Sequence, residues 1–119
     1  RHVAGAHLEG FARAVAAAIP LIQRSEGVVI LSADSDKTSS DIAPKLADYF
    51  NWHGVTAEIR SMKESGAQIG AALLAESAVV GADMLVMGAY THSRMRQLIL
   101  GGVTRHILAE ATLPVLMAH

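Results

Sequence analysis

The spacing of apolar residues changes period several times along the chain, and each change predicts an element. Over residues 7–24, an alanine-rich stretch sets Leu8, Phe11, Val15, Ile19 and Ile22 three or four positions apart, the stripe of an amphipathic helix. Pro20 within it predicts a kink or an irregular turn, because proline lacks an N–H and crowds the carbonyl four residues back. Val28, Val29, Ile30 and Leu31 form a short, uninterrupted apolar run, as expected of a strand buried on both faces. Helical spacing returns with Ile42, Leu46, Tyr49 and Phe50, with Ser39 or Ser40 as the expected cap and His53-Gly54 as the stop. Residues 55–60 alternate well enough for a strand nearer the edge of a sheet.

In the second half, Ser65 is expected to cap the helix AQIGAALLAESAVV, which Gly81 closes. Residues 83–87 read as another buried strand, residues 103–111 as a short helix and residues 114–118 as a last strand. Strands alternating with helices predict an α/β fold in which helices cover both faces of a parallel sheet. Such domains usually open with a strand, and none is recognised ahead of the first helix. Residues 1–119 therefore read as one domain whose first strand is missing, so that the chain is N-terminally incomplete or takes that strand from another chain.

Composition narrows the chemistry. A length of 119 residues suits a single core, and with 51% hydrophobic but only 4% aromatic residues that core must be aliphatic. A formal charge of −1 argues against a surface that coats nucleic acid and against a polybasic membrane anchor. With no cysteine, disulfides, thiolate metal sites and thiol catalysis are excluded. No apolar run approaches the ~18 residues of a membrane span, and no signal-peptide order is present, so the expectation is a cytoplasmic protein.

The connection GAYTHSRMRQLILGG, residues 88–102, is far longer than the two to six or so residues usual between strand and helix. It leaves the carboxyl end of a strand, where open parallel sheets bind ligands. Gly88 lets a ligand approach the backbone. Gly101-Gly102 precedes a helix start, where unpaired N–H groups and the helix dipole favour an anion. Thr104 adds a hydroxyl donor, and His92, Arg94 and Arg96 add positive charge. A few charge-assisted hydrogen bonds of about 1.5–3 kcal/mol each, less ordering costs, reach the roughly −8 kcal/mol of a micromolar complex. Phosphate is the natural anion. Glycines before a helix also serve simply as turn residues, and spacing alone leaves both readings open.

The segment GADMLVMGAYTHSRMRQLILGGVTRHILAEATLPVLMAH resembles the C-terminal part of the universal stress protein family. Nucleotide-binding members of that family carry glycine, two residues, glycine, nine residues, glycine and then serine or threonine. Here the same frame reads Gly88, Ala89-Tyr90, Thr91, nine residues, then Gly101-Gly102. The likeness is strong over residues 82–119 and architectural over residues 11–81. It implies a flavodoxin-like or Rossmann-like sheet and an adenine nucleotide of the ATP type, with or without Mg²⁺. It also implies pairing through the last strand, residues 113–117, in a homodimer or with a sister domain of a tandem protein. By position, Gly88, Thr91, Gly101, Gly102, Val103 and Thr104 would surround ribose and phosphates, with His92 at the phosphates and Ala33 beside the adenine. This chain departs from the pattern where Thr91 replaces the second glycine, where Gly102 replaces the hydroxyl residue, and where no counterpart of the adenine-contacting aspartate is recognised. The implied function is a stress-response regulator that binds an adenine nucleotide and hydrolyses it slowly at most. The alternative is a nucleotide-free dimerisation or interaction module of the same fold.

Other suggestive residues read more plainly. Asp34-Ser35-Asp36 follows a strand as the phospho-acceptor of a receiver domain would, but the last strand lacks the lysine such a site needs, so a capping turn is the better reading. His2, His7, His53, His106 and His119 are scattered and make no ligand set, and no nucleophile–base pair can be assembled.

Overall fold

Runs that are apolar on consecutive residues build the inner strands, because a strand covered by helices on both sides has no solvent face. The computed structural model describes residues 2–6, 11–33, 37–64, 68–88 and 103–118. Along the chain these form β1 His2–Ala6, α1 Phe11–Gln23, β2 Gly27–Ala33, α2 Lys37–Trp52 and β3 Ala57–Met62, followed by α3 Ile69–Val79, β4 Ala82–Gly88, α4 Val103–Glu110 and β5 Val115–Ala118. The strands make one five-stranded sheet in the order β3-β2-β1-β4-β5, and every neighbouring pair is parallel. This is the expected α/β class with a Rossmann-like strand order.

Strand alternation divides the core in two. Val28 and Ile30 of β2 join Val3 and Val86 under α1 and α2, where Val15, Ile22 and Phe50 are buried. Val29 and Leu31 face the other way with Leu85 and Met87, under α3 and α4, where Leu73 and Ile107 are buried. Two crossovers run outward from β1 to β3, one returns across the sheet from β3 to β4 and one runs on to β5, so right-handed connections in the two directions put α1 and α2 on one face and α3 and α4 on the other.

One expectation is overturned. The first strand is not missing: His2–Ala6 forms β1, and it lies at the centre of the sheet, paired with β2 on one side and β4 on the other. The sequence HVAGA hides it because Val3 is its one large apolar residue, and alanine and glycine have little intrinsic preference for strands. Pairing on both edges supplies what local propensity does not. The predicted opening helix correspondingly starts at Phe11, and Leu8 lies outside the described residues.

Smaller corrections follow from backbone chemistry. Helix α1 continues through Pro20 to Gln23 instead of ending in an irregular turn. Pro20 and Ala16 are both exposed, so the carbonyl that loses its i→i−4 partner lies on the watered side of the helix. Helix α2 begins at Lys37, so Ser39 and Ser40 fall inside its first turn and do not cap it. Ser65 lies outside the described residues, and α3 is preceded by Gln68 with no side-chain cap.

The two predicted helix stops hold, and for the reason given. Gly54 and Gly81 have φ of 76° and 69°, a left-handed conformation that costs any residue with a Cβ. At Gly54, the Val55 amide donates to the Phe50 carbonyl at 3.0 Å and the Gly54 amide to the Asn51 carbonyl at 3.0 Å. Those are the two bonds of a Schellman motif, and the buried pair Phe50 and Val55 supplies its apolar contact. Asp83 takes a structural part at the start of β4. The pairing of β1 with β4 skips it, His2 lying opposite Ala82 and Val3 opposite Met84. At this bulge the Asp83 carboxylate accepts the His2 amide at 3.3 Å, a donor the shifted ladder no longer serves.

Candidate functional site

In a sheet of this order the chain reverses direction between β1 and β4, because β1 leads away to β2 while β4 is reached by the long return from β3. Ligands of open parallel sheets bind at the carboxyl ends of the strands flanking such a reversal. The register shapes that edge. Ala6, the last residue of β1, lies level with Leu31 of β2 and Met87 of β4. Strand β2 runs two residues farther, to Ala33, and β4 one farther, to Gly88. The ends of β2 and β4 therefore stand beyond the last described residue of β1, separated by two strand spacings or about 10 Å.

Of the residues singled out in the sequence, Ala33 and Gly88 end β2 and β4 on this edge, and Val103 and Thr104 open α4. A crossover helix runs antiparallel to its strands, so the amino end of α4 lies at the same edge of the sheet as the ends of β2 and β4. Thr91, His92, Gly101 and Gly102 lie outside the described residues. The first aspartate of the chain is Asp34, after β2, so β1 is present without an aspartate at its carboxyl end.

What sets α4 in place is a contact the sequence reading missed. Ile107 is fully buried, and Val103 packs at the margin of the same cluster. Beside them, α3 presents Gly70 to α4. A Cβ built on Gly70 would stand 2.8 Å from Cβ and 3.0 Å from Cγ of His106. The two helices meet so closely that only glycine fits, which fixes how near α4 lies to α3. A lone glycine inside a helical pattern was the available signal, since such a glycine usually has a packing reason. His106 is thus a packing residue of the helix pair.

At the sheet's β3 edge, α3 is tied down by Arg60, whose guanidinium donates to Glu76 at 3.2 Å and lies 3.7 Å from Glu58. Among the described residues no group of three or more His, Asp or Glu side chains is placed to hold a metal, and no helix is long and apolar enough to cross a membrane.

The model of the universal stress protein family matches residues 56–119, more than half of the chain. A universal stress protein of Synechocystis sp. is 37% identical over 70 residues, which cover 51% of this chain and 24% of that protein. The chain thus spans about a quarter of the length of that relative. A universal stress protein solved in complex with cAMP superposes with a TM-score of 0.74 at 18% identity, covering 99% of this chain and 96% of that one. The universal stress protein of Archaeoglobus fulgidus solved in complex with dAMP gives 0.71 at 15% identity, covering 100% and 98%. At such identities the structures speak for the fold alone, while the sequence match over residues 56–119 speaks for descent. With a five-stranded parallel sheet, a reversal beside β1 and the matching C-terminal half, this chain belongs to the universal stress protein family.

Proposed function

We propose that this domain is a stress-response regulator that holds an adenine nucleotide at the carboxyl edge of its sheet without efficient turnover. The observation that carries the reading is the register of the central strands: β2 and β4 run on past the last described residue of β1, and the crossover from β4 to β5 puts the amino end of α4 at that same edge. The adenine lies by Ala33 and the ribose by Gly88, and the phosphates lie against Gly101, Gly102, Val103 and Thr104, with Thr91 and His92 beside them. Two proteins of the same fold, solved with cAMP and with dAMP, support adenine as the base. ATP, with or without Mg²⁺, is the nucleotide we assign, and the cytoplasm the compartment.

Isothermal titration of the protein with ATP, AMP and cAMP, each with and without Mg²⁺, tests this. Thr91 stands where the family keeps glycine, so if bound phosphates require a left-handed backbone at that position, Thr91→Gly should tighten binding. Removing about 1–2 kcal/mol of strain corresponds to roughly five- to thirtyfold in Kd. If neither form binds any of the three at millimolar ligand, the nucleotide reading fails.

A second reading has its own observation. Strand β5 is an edge of the sheet, and its Val115, Leu116 and Met117 are only partly buried. An apolar edge strand is a template for another strand, so residues 113–117 are where we place pairing with a second copy or a sister domain. A nucleotide-free pairing module is distinguished from the first reading by a dimer, measured by sedimentation, that forms in a protein inert to all three nucleotides.

A further inference from the structure

At the opposite, amino edge of the sheet lies a cleft of about 340 Å³, within the size range of small-molecule sites. Its apolar lining comes from Val3 of β1, Leu21 of α1, Met84 of β4 and Pro114 just before β5. Two opposite charges from different parts of the chain, Arg24 and Asp83, complete it together with His2 and Ser25. Each is held by its backbone. The Arg24 amide donates to the Leu21 carbonyl at 3.1 Å, and the next residue, Ser25, donates its hydroxyl to the Ile22 carbonyl at 2.6 Å. Asp83 is fixed by the bulge of β4, and its Oδ2 takes the His2 amide at 3.3 Å, leaving Oδ1 without a partner among the described residues. Among the described residues Arg24 has no carboxylate partner, and the two charges do not pair with each other although they line one cleft.

We propose that this cleft is a second ligand site, which takes a small zwitterion with an apolar body: a free α-amino acid of about the size of leucine. A cation and an anion too far apart to pair, yet sharing a cleft, are matched by a molecule that carries both charges on adjoining atoms. The carboxylate bonds to the Arg24 guanidinium, which offers a planar fork of donors. The ammonium bonds to Asp83 Oδ1. The branched side chain lies on Val3, Leu21, Met84 and Pro114, where apolar area leaves water. Neither glycine, with no apolar body, nor a nucleotide, with its excess of negative charge, fits this set. The site stands across the sheet from the proposed nucleotide edge and does not depend on it.

The test is a ¹⁵N–¹H NMR titration of the protein with L-leucine, beside glycine, 4-methylpentanoate and 3-methylbutylamine, each of which lacks one of the three features. Leucine should give saturable shifts at the amides of His2, Val3, Arg24, Ser25 and Met84, and each analogue should bind about tenfold or more weakly, the loss of one charge-assisted contact. Arg24→Gln and Asp83→Asn should each weaken leucine by a similar factor, with thermal melts confirming that both fold. Because the analogue series uses the unaltered protein, it decides the matter even if a variant unfolds. The proposal is overturned by the absence of saturable shifts at those amides up to about 20 mM leucine, well below the affinity a cleft of this kind confers. It is equally overturned if an analogue with a single charge binds as well as leucine.

Discussion

Replacing Gly70 by alanine probes the joint that positions α4. The added methyl would meet His106 Cβ at 2.8 Å, Cγ at 3.0 Å and Cδ2 at 3.1 Å. Carbon atoms rest at about 3.5–4.0 Å, so the helices must part by most of an ångström. No rotamer of His106 helps, because its Cβ moves only with the backbone of α4. Overpacking of this kind costs about 1–3 kcal/mol. Against it stands the better helix propensity of alanine, worth up to about 1 kcal/mol, and worth less at Gly70 because it is the second residue of α3. The steric effect wins, with a net loss of about 1–2 kcal/mol. Urea denaturation followed by circular dichroism reads that loss as a lower midpoint at unchanged slope. The control is His106→Gly, which removes the obstructing Cβ: in that background Gly70→Ala should become neutral or stabilising, a coupling of about 1 kcal/mol or more. If Gly70→Ala is as stable as the parent, or costs the same in both backgrounds, the close approach of the two helices is not what glycine serves there.

Three further outcomes follow from other parts of the fold. Gly54→Ala should lose about 1–2 kcal/mol of stability to urea, all of it from φ, since the new Cβ has nothing within 4 Å. Gly54→Asn should lose less, because asparagine tolerates the left-handed region, and equal losses for the two would refute the conformational explanation. Ile107→Ala, at a fully buried site, should cost about 2–5 kcal/mol by thermal melt, and on the proposed reading should weaken ATP binding as α4 loosens. Trp52 is the sole tryptophan and is 88% exposed, so its emission should resemble that of indole in water and hardly move on unfolding. A blue-shifted native spectrum would mean that something covers α2.

The elements that frame the candidate site were partly legible in the sequence, and the arrangement of the strands between them was not. Gly88 at a strand end and Val103-Thr104 at a helix start could be read from local pattern, and both lie where they were expected. That Ala33 belongs with them depends on β1 lying between β2 and β4, and β1 was the strand that escaped notice. Helical spacing places Tyr49 in the buried stripe of α2, but it is 39% exposed, and its ring packs edge-on against His53 at 4.8 Å. Its neighbour Phe50 enters the core, together with Ala43 of the same helix. Spacing identifies a helical stripe to within about a residue, and the sheet beneath decides which side chain fits.

The sequence alone determined the features whose cause sits in a few adjacent residues. The run Val28-Val29-Ile30-Leu31 had to be a strand with two dry faces, the stripe through Val15 and Ile22 had to be a helix, and Gly54 and Gly81 had to end helices. Tertiary structure decided what depends on partners far along the chain. It made HVAGA a central strand despite its weak propensity, set β4 rather than β3 beside it, and drew α4 onto Gly70. Local propensities amount to a few tenths of a kcal/mol per residue, whereas a central strand gains backbone pairing on both edges and burial on both faces. Where the two disagree, as at residues 2–6, the nonlocal interactions prevail.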